Sequence, residues 1–436
     1  MQNIKSNIKQ FLEKISKEET VLRYVYNNKF VPGESTVYYS GPYWDTQEIV
    51  AAVNTLITGK WLSSGENVHK FEIEFCKKFN QNYGVMVNSG SSANLVMIGA
   101  LKKYFDWQDE DEVIVSPVGF PTTIAPIIQY NLKPVFVDIE LETLNFNVTK
   151  IEEKITSKTK AIFISPVLGN PPCMDTLISL SDKYKLKLVL DNCDSLGSTW
   201  EDKYLTNYCV AASHSFYPAH HISTGEGGMV TSNNEEIISI ARSLSWWGRD
   251  CYCVGAANLL SCGTCKNRFD NWLENYNGIV DHKYVFNNLG YNLKPLDLQG
   301  SIGLIQLSKW EEIDSKRKEN YYKMISNFYC LYEKGIKFVS RVSNKSVPSW
   351  FGVPIICDNK EIKDSLVKYL EDNRIQTRNY FAGNILLHPG YSKYGNYKDY
   401  PIANTVLDKV FFVGCPPHYN MEICNYIHEK VKLWKK

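Results

Sequence analysis

From Val85 to about Val230 this chain alternates short, almost wholly apolar runs with stretches of helical spacing, and few folds accommodate that rhythm. Glu112-Val-Ile-Val115, Pro134-Val-Phe-Val137, Ala161-Ile-Phe-Ile164 and Leu188-Val-Leu190 have no polar face to turn toward water. Strands of this kind are covered on both sides, which predicts an α/β architecture: a mostly parallel central sheet with helices on both faces. Four polar or glycine-containing segments follow strand ends: Asn88–Ser92, Gly119–Pro121, Gly169–Pro171 and Asp191–Asp194. Ligands of open α/β sheets bind beyond the carboxyl ends of the strands, so these segments are expected to converge on one pocket. After about Lys309 the pattern changes to long polar helices and a few short strands. The chain therefore reads as an N-terminal helical segment (1–40), a large α/β domain (41–309) with a cysteine-rich insertion near 249–270, and a smaller C-terminal α+β domain (310–436).

A formal net charge of +1 over 436 residues gives no reason to expect nucleic acid or an anionic membrane as a partner. No apolar run approaches the roughly 20 residues of a membrane span. The first 30 residues place Ile4, Ile8, Phe11, Leu12 and Ile15 at helical spacing but lack the apolar core of a signal peptide, so a cytoplasmic location is expected. In that setting twelve cysteines are not a disulfide framework.

Several segments carry residue types suited to chemistry. Ser89-Gly90-Ser91-Ser92 precedes an Ala/Leu-rich stretch, and small residues at a helix N-terminus expose backbone N–H groups to an anion such as phosphate. Asp191, after an apolar run, can bond the ring nitrogen of a pyridine cofactor and keep it protonated. Phe120 can lie against an aromatic ring. Taken singly, these residues would be a helix cap, a strand-ending turn and a core aromatic. His220 and His221 are adjacent, so one can enter a pocket while the other packs. Cys251, Cys253, Cys262 and Cys265 fall within a short segment, and four thiolates so placed suit zinc or a 2Fe–2S cluster. A more distant sulfur such as Cys193 is an additional candidate.

The pieces occur together in a recognisable order: Ser89-Gly-Ser-Ser-Ala-Asn-Leu95, Phe120-Pro-Thr-Thr123, Asp191-Asn-Cys-Asp-Ser-Leu-Gly197, Ser215-Phe-Tyr-Pro-Ala-His220, Gly225-Glu-Gly-Gly228 and Leu289-Gly-Tyr-Asn-Leu-Lys294. From about Tyr43 onward this resembles the DegT/StrS family of sugar aminotransferases, which implies the type I fold of enzymes dependent on pyridoxal phosphate (PLP). The family lysine that would bind PLP covalently is replaced here by His220, as in the family's sugar 3-dehydratases. That implies a non-covalently held pyridoxamine phosphate (PMP), with His220 moving the proton.

Trp247-Gly-Arg-Asp-Cys-Tyr-Cys253, Cys265-Lys-Asn-Arg-Phe269, Asp281-His-Lys-Tyr284, Ser349-Trp-Phe-Gly352 and Phe381-Ala-Gly-Asn384 are similar to the iron–sulfur branch acting on a CDP-4-keto-6-deoxyhexose in dideoxysugar and lipopolysaccharide O-antigen biosynthesis. The resemblance implies a 2Fe–2S cluster on Cys193, Cys251, Cys253 and Cys265, with Cys262 as an alternative fourth ligand. It also implies an NAD(P)H-dependent iron–sulfur flavin reductase as electron donor. Gly90, Ser91 and Ser215 match phosphate contacts, Asp191 the ring-nitrogen partner, and Asp194 a polar residue near the phenolic oxygen. Asn292 matches a phosphate contact from the other subunit of a homodimer. Arg378, Asn384 and His221 fall among positions that contact the nucleotide-linked sugar. The alternatives are a cluster-free, glutamate-using 3-dehydratase of the GDP-4-keto-6-deoxymannose type and a non-catalytic nucleotide-sugar binding homologue.

Overall fold

The computed structural model describes residues 2–15, 30–251, 265 and 267–436. Its centre is a seven-stranded sheet built from β1 (Tyr83–Val87), β2 (Glu112–Val115), β3 (Lys133–Phe136), β4 (Thr159–Ile164), β5 (Lys187–Asp191), β8 (Ala211–Ser215) and β9 (Gly228–Ser232), in the order β1-β9-β8-β5-β4-β2-β3. Strands β3, β2, β4, β5 and β8 pair in parallel, and β9 runs antiparallel to both of its neighbours. The expected runs all became strands. The run expected at Pro134–Val137 begins one residue earlier, as β3, and Val137 still donates its N–H to the Val115 carbonyl at 3.1 Å.

Side-chain alternation divides these strands between two cores. Val113, Val115, Ala161, Phe163 and Val189 face one side, against α4 (Gly90–Tyr104), α5 (Pro121–Gln129) and α7 (Glu235–Ser245). Ile114, Ile162, Ile164, Leu188 and Leu190 face the other, against α6 (Met174–Tyr184). Each strand thus meets an apolar layer on both faces, and full burial of one such side chain contributes about 1.5–3 kcal/mol. A third core forms where α3 (Glu66–Lys78) brings Phe71 and Phe75 against Phe216. Inside it, buried Glu72 accepts from Met86 N and from both terminal nitrogens of Arg242, joining α3, β1 and α7.

Helix α1 (Gln2–Ile15) lies at the N-terminus, and α2 (Thr46–Thr58) packs on α8 (Asp297–Ser308). The hairpin β6 (Thr199–Trp200) and β7 (Lys203–Tyr204) takes β13 (Ser346–Val347) as a third strand, while β10 (Phe269–Asp270) pairs with β11 (Val280–Asp281). After α8 the chain continues through α9 (Trp310–Phe328) into an antiparallel four-stranded sheet. Its order is β12-β14-β16-β15, from β12 (Ile336–Phe338), β14 (Gly352–Cys357), β15 (Thr377–Asn379) and β16 (Val410–Gly414). Helices α10 (Lys360–Asp372), α11 (Pro401–Lys409) and α12 (Met421–Leu433) complete this region. No helix among the described residues is long and apolar enough to cross a membrane.

Candidate active site

The carboxyl ends of β1, β2, β4, β5 and β8 open onto a cavity of about 630 Å³. Gly90 and Ser91 reach it from the first turn of α4, Phe120 and Thr122 from the start of α5, Ser165 from the end of β4, and Asp191, Cys193 and Asp194 from the end of β5. The segment from Ser215 to His220 closes the wall, and Arg378 with Phe351, Phe381 and Phe412 covers it from the C-terminal region. Gly169–Pro171 does not join the wall as expected. Leu168 and Gly169 take positive φ values of 57° and 97°, and the chain turns instead onto Ser349, whose carbonyl would lie 2.2 Å from a Cβ at Gly169.

One end of the cavity is suited to a phosphate. Ser89 caps α4 by accepting from Ser92 N at 3.1 Å, leaving the amides of the first turn at the wall beside the Ser91 and Ser215 hydroxyls. The helix dipole adds positive potential there. Gly90 is required by close approach: a Cβ would stand 2.5 Å from Ser215 Cβ and 3.0 Å from Cys193 Sγ.

Asp191 is held by three close donors, with the Ser213 hydroxyl more distant at 3.5 Å. Oδ2 accepts from Asn94 Nδ2 at 2.8 Å and Thr123 Oγ1 at 2.7 Å, and Oδ1 accepts from Cys193 N at 3.2 Å. Ser213 Oγ donates to Asn94 Oδ1 at 2.6 Å, which fixes that amide's orientation. Asn94 and Thr123 stand in the quoted sequence motifs but had been given no role. The available signal was a lone amide one turn into an otherwise small-residue and apolar helix.

His220 lines the cavity with Nδ1 3.5 Å from Asp194 Oδ1. That nitrogen is buried without a hydrogen-bond partner. Burial, reinforced by the positive charge of Arg317 and partly offset by the Cys193 carbonyl, pushes the imidazole down to about 3, so it is neutral around pH 7. Burial and the neighbouring Asp191 raise Asp194 to about 7. Its Oδ2 accepts from Leu168 N at 3.3 Å. Arg317 donates to the His220 carbonyl at 3.0 Å and the Phe351 carbonyl at 3.1 Å, so a buried guanidinium fixes the backbone beneath the base.

Phe120 is half exposed at the wall and meets Phe381 edge-on at 6.0 Å. Arg378 lines the cavity, whereas two other expected substrate contacts do not. Asn384 is fully buried, bonding Asn404 at 2.7 Å and accepting from Leu386 N at 3.0 Å. His221 is buried with Nε2 3.0 Å from the Ser349 carbonyl. Asn292 lies on the surface, where its side chain accepts from Lys294, away from this chain's own cavity. Sequence reasoning missed Tyr39, Tyr217, Ser165 and the covering aromatics, which come together only through the tertiary fold.

The donor set matches the functional groups of a pyridoxamine phosphate: amides and hydroxyls for the phosphate, a carboxylate for the ring nitrogen, and a neutral imidazole at the wall for proton transfer. The case for a cluster is weaker. Cys193 lies at the cavity wall and Cys251 is buried beside Trp246, while Cys253 and Cys262 lie outside the described residues. Among the described residues, no group of three or more His, Cys, Asp or Glu side chains is arranged to hold a metal ion.

The profile of the DegT/DnrJ/EryC1/StrS aminotransferase family matches residues 44–432. A dTDP-4-dehydro-2,6-dideoxy-D-glucose 3-dehydratase from Saccharopolyspora spinosa is 37% identical over 92% of this chain and 87% of its own length. The lipopolysaccharide biosynthesis protein RfbH of Salmonella typhimurium is 36% identical over 92% of each chain. A crystal structure of GDP-4-keto-6-deoxymannose-3-dehydratase with a trapped PLP–glutamate geminal diamine superposes with a TM-score of 0.78 at 29% identity, covering 91% of this chain and all of that one.

Proposed function

The chain belongs to the DegT/DnrJ/EryC1/StrS aminotransferase family, and we propose that it is a PMP-dependent 3-dehydratase of a nucleotide-linked 4-keto-6-deoxy sugar. The observation that carries this reading is His220: an imidazole with a free buried nitrogen lines the cavity, and no lysine does so among the described residues. The similar 3-dehydratases support the same substrate class.

When bound, PMP would supply an amine for the sugar's C4 ketone and a ring that takes up electron density when its methylene loses a proton and gives it back as the C3 hydroxyl leaves. Asp191, steadied by Asn94 and Thr123, holds the proton on the ring nitrogen. His220 would take the proton from the cofactor methylene and can hand it to the departing C3 hydroxyl, and Asp194 lies 3.5 Å from its Nδ1. Gly90, Ser91 and Ser215 hold the phosphate, and Phe120 bounds the ring. Arg378 meets the nucleotide portion.

We also propose a homodimer in which Asn292 of one subunit reaches the partner's phosphate site. Exposed Leu56, Ile57, Trp61, Leu62, Leu289 and Leu296 on and around α2 and the segment before α8 provide an apolar surface for it. A cytoplasmic setting suits an enzyme with so many free thiols.

Turnover closes in one of two ways. The solved structure holding a glutamate adduct supports glutamate as the cofactor's amine source. A second reading, a 2Fe–2S cluster fed by an NAD(P)H-dependent reductase, is favoured by Cys193 standing at the wall beside Asp191. One experiment tests the dehydratase and separates the two routes. His220→Asn should retain PMP, seen by its near-ultraviolet absorption, while losing at least ~100-fold in turnover; normal turnover would remove His220 as the base. Broad visible bands in anaerobically purified wild type that bleach with dithionite select the cluster, and their absence after reconstitution with iron and sulfide selects glutamate.

A further inference from the structure

Arg378 is the only lysine or arginine among the described residues lining the cavity, which also presents Asp191, Asp194 and Glu226. A nucleoside diphosphate entering this space meets three carboxylates and one guanidinium from this chain, so the placement of that guanidinium matters. Its carbon lies 4.1 Å from the centroid of the Tyr39 ring, close enough for a cation–π contact.

Tyr39 is itself firmly held. Val37 donates to the Arg374 carbonyl at 2.8 Å and accepts from Gln376 N at 3.0 Å, so the segment runs beside the approach to β15. Tyr39 N donates to Gln376 Oε1 at 3.3 Å, and its ring meets Phe412 edge-on at 6.0 Å. Its carbonyl passes so close to Gly414 that a Cβ there would be 2.0 Å away. The next residue, Ser40, donates to the Ala219 carbonyl at 2.7 Å, beside His220. A short strap thus joins the C-terminal sheet to the loop of the base and presents one aromatic face to Arg378.

We propose that Tyr39 is a substrate-positioning residue: its ring holds the Arg378 guanidinium against the diphosphate of the nucleotide-linked sugar. This rests on the substrate class proposed above. Tyr39 acts through Arg378, so its loss should weaken nucleotide binding and raise KM with little change in kcat or PMP affinity.

The test is calorimetric titration of PMP-loaded protein with CDP, GDP, dTDP and UDP. Wild type should bind at least one. Tyr39→Leu should weaken that binding by about tenfold, and Tyr39→Leu combined with Arg378→Leu should bind no worse than Arg378→Leu alone. Undiminished binding by Tyr39→Leu, or fully additive losses, would overturn the proposal. If Tyr39→Leu lowers Tm, Tyr39→Met preserves the bulk against Phe412 and replaces it. Failure of wild type to bind any of the four nucleotides overturns the substrate class itself, a different result from failure of the Tyr39 effect.

Discussion

At the scale of single residues, the site depends on groups whose partners are fixed before any ligand arrives. Asp191 is the clearest case, because a chain of donors running from Ser213 through Asn94 orients it. Replacing Asn94 with Leu takes away the Ser213 hydroxyl's nearest acceptor and removes one donor from a buried carboxylate, the second a loss of about 1–3 kcal/mol. The expected result is a lower Tm and a kcat reduced ~10-fold or more, with KM for the sugar nucleotide little changed. Unaltered kcat in a folded Asn94→Leu protein would show that the Asp191 orientation is immaterial. His220 illustrates the complementary device. Its Nδ1 is left without a hydrogen bond, while Arg317 fixes its own backbone carbonyl.

At the scale of elements, the N-terminus of α4 is the most exacting. Gly90→Ala would drive a methyl group into Ser215 and Cys193, both of which line the same cavity. Overpacking of this kind costs about 1–3 kcal/mol, so Gly90→Ala should melt earlier and bind PMP at least ~10-fold more weakly by absorbance titration. PMP binding equal to wild type would show that this turn yields more readily than its contacts imply.

Elements differ in how far they could be read from the residues. The strands β2, β4 and β5 announce themselves because both faces are apolar. The reversed β9, Gly-Met-Val-Thr-Ser, carries no such run, and its direction is set by pairing with β1 and β8. Asp191, Ser215 and His220 were legible because each lies directly at or beyond a strand end. Tyr39 was not, since its role depends on Arg378, hundreds of positions away. Asn384 was misleading for the opposite reason: it sits in a stretch resembling substrate-contacting residues, yet its amide is used up in capping the turn of Ile385–Leu387.

At the scale of the whole molecule, the buried imidazoles set a lower limit on the pH the fold tolerates. His214 is wholly enclosed, bonding Thr231 at 2.9 Å and Asn192 at 3.3 Å, and burial pushes it down to about 3; His418 is pushed to about 3 by burial and by Arg317. The unfolded chain binds protons at both positions near pH 6.5, while the folded chain stays neutral there until about pH 3. The contribution of these two imidazoles is therefore full above pH 6.5 and declines as pH falls between those values, and Asp194, raised to about 7, opposes them as one group against two. Urea midpoints measured from pH 7.5 to 4.5 should drop steadily, and His214→Gln should reduce the slope. A midpoint independent of pH across that window would count against neutral burial.

Ser215 and Gly228 face each other across β8 and β9, so the segment bearing His220 leaves the sheet and returns to it through one hydrogen-bonded neck. What is mounted at position 220 contributes little to holding that neck together. The side chain at position 220 and the paired backbone that carries it are thus separable parts, and one can be exchanged without rebuilding the other.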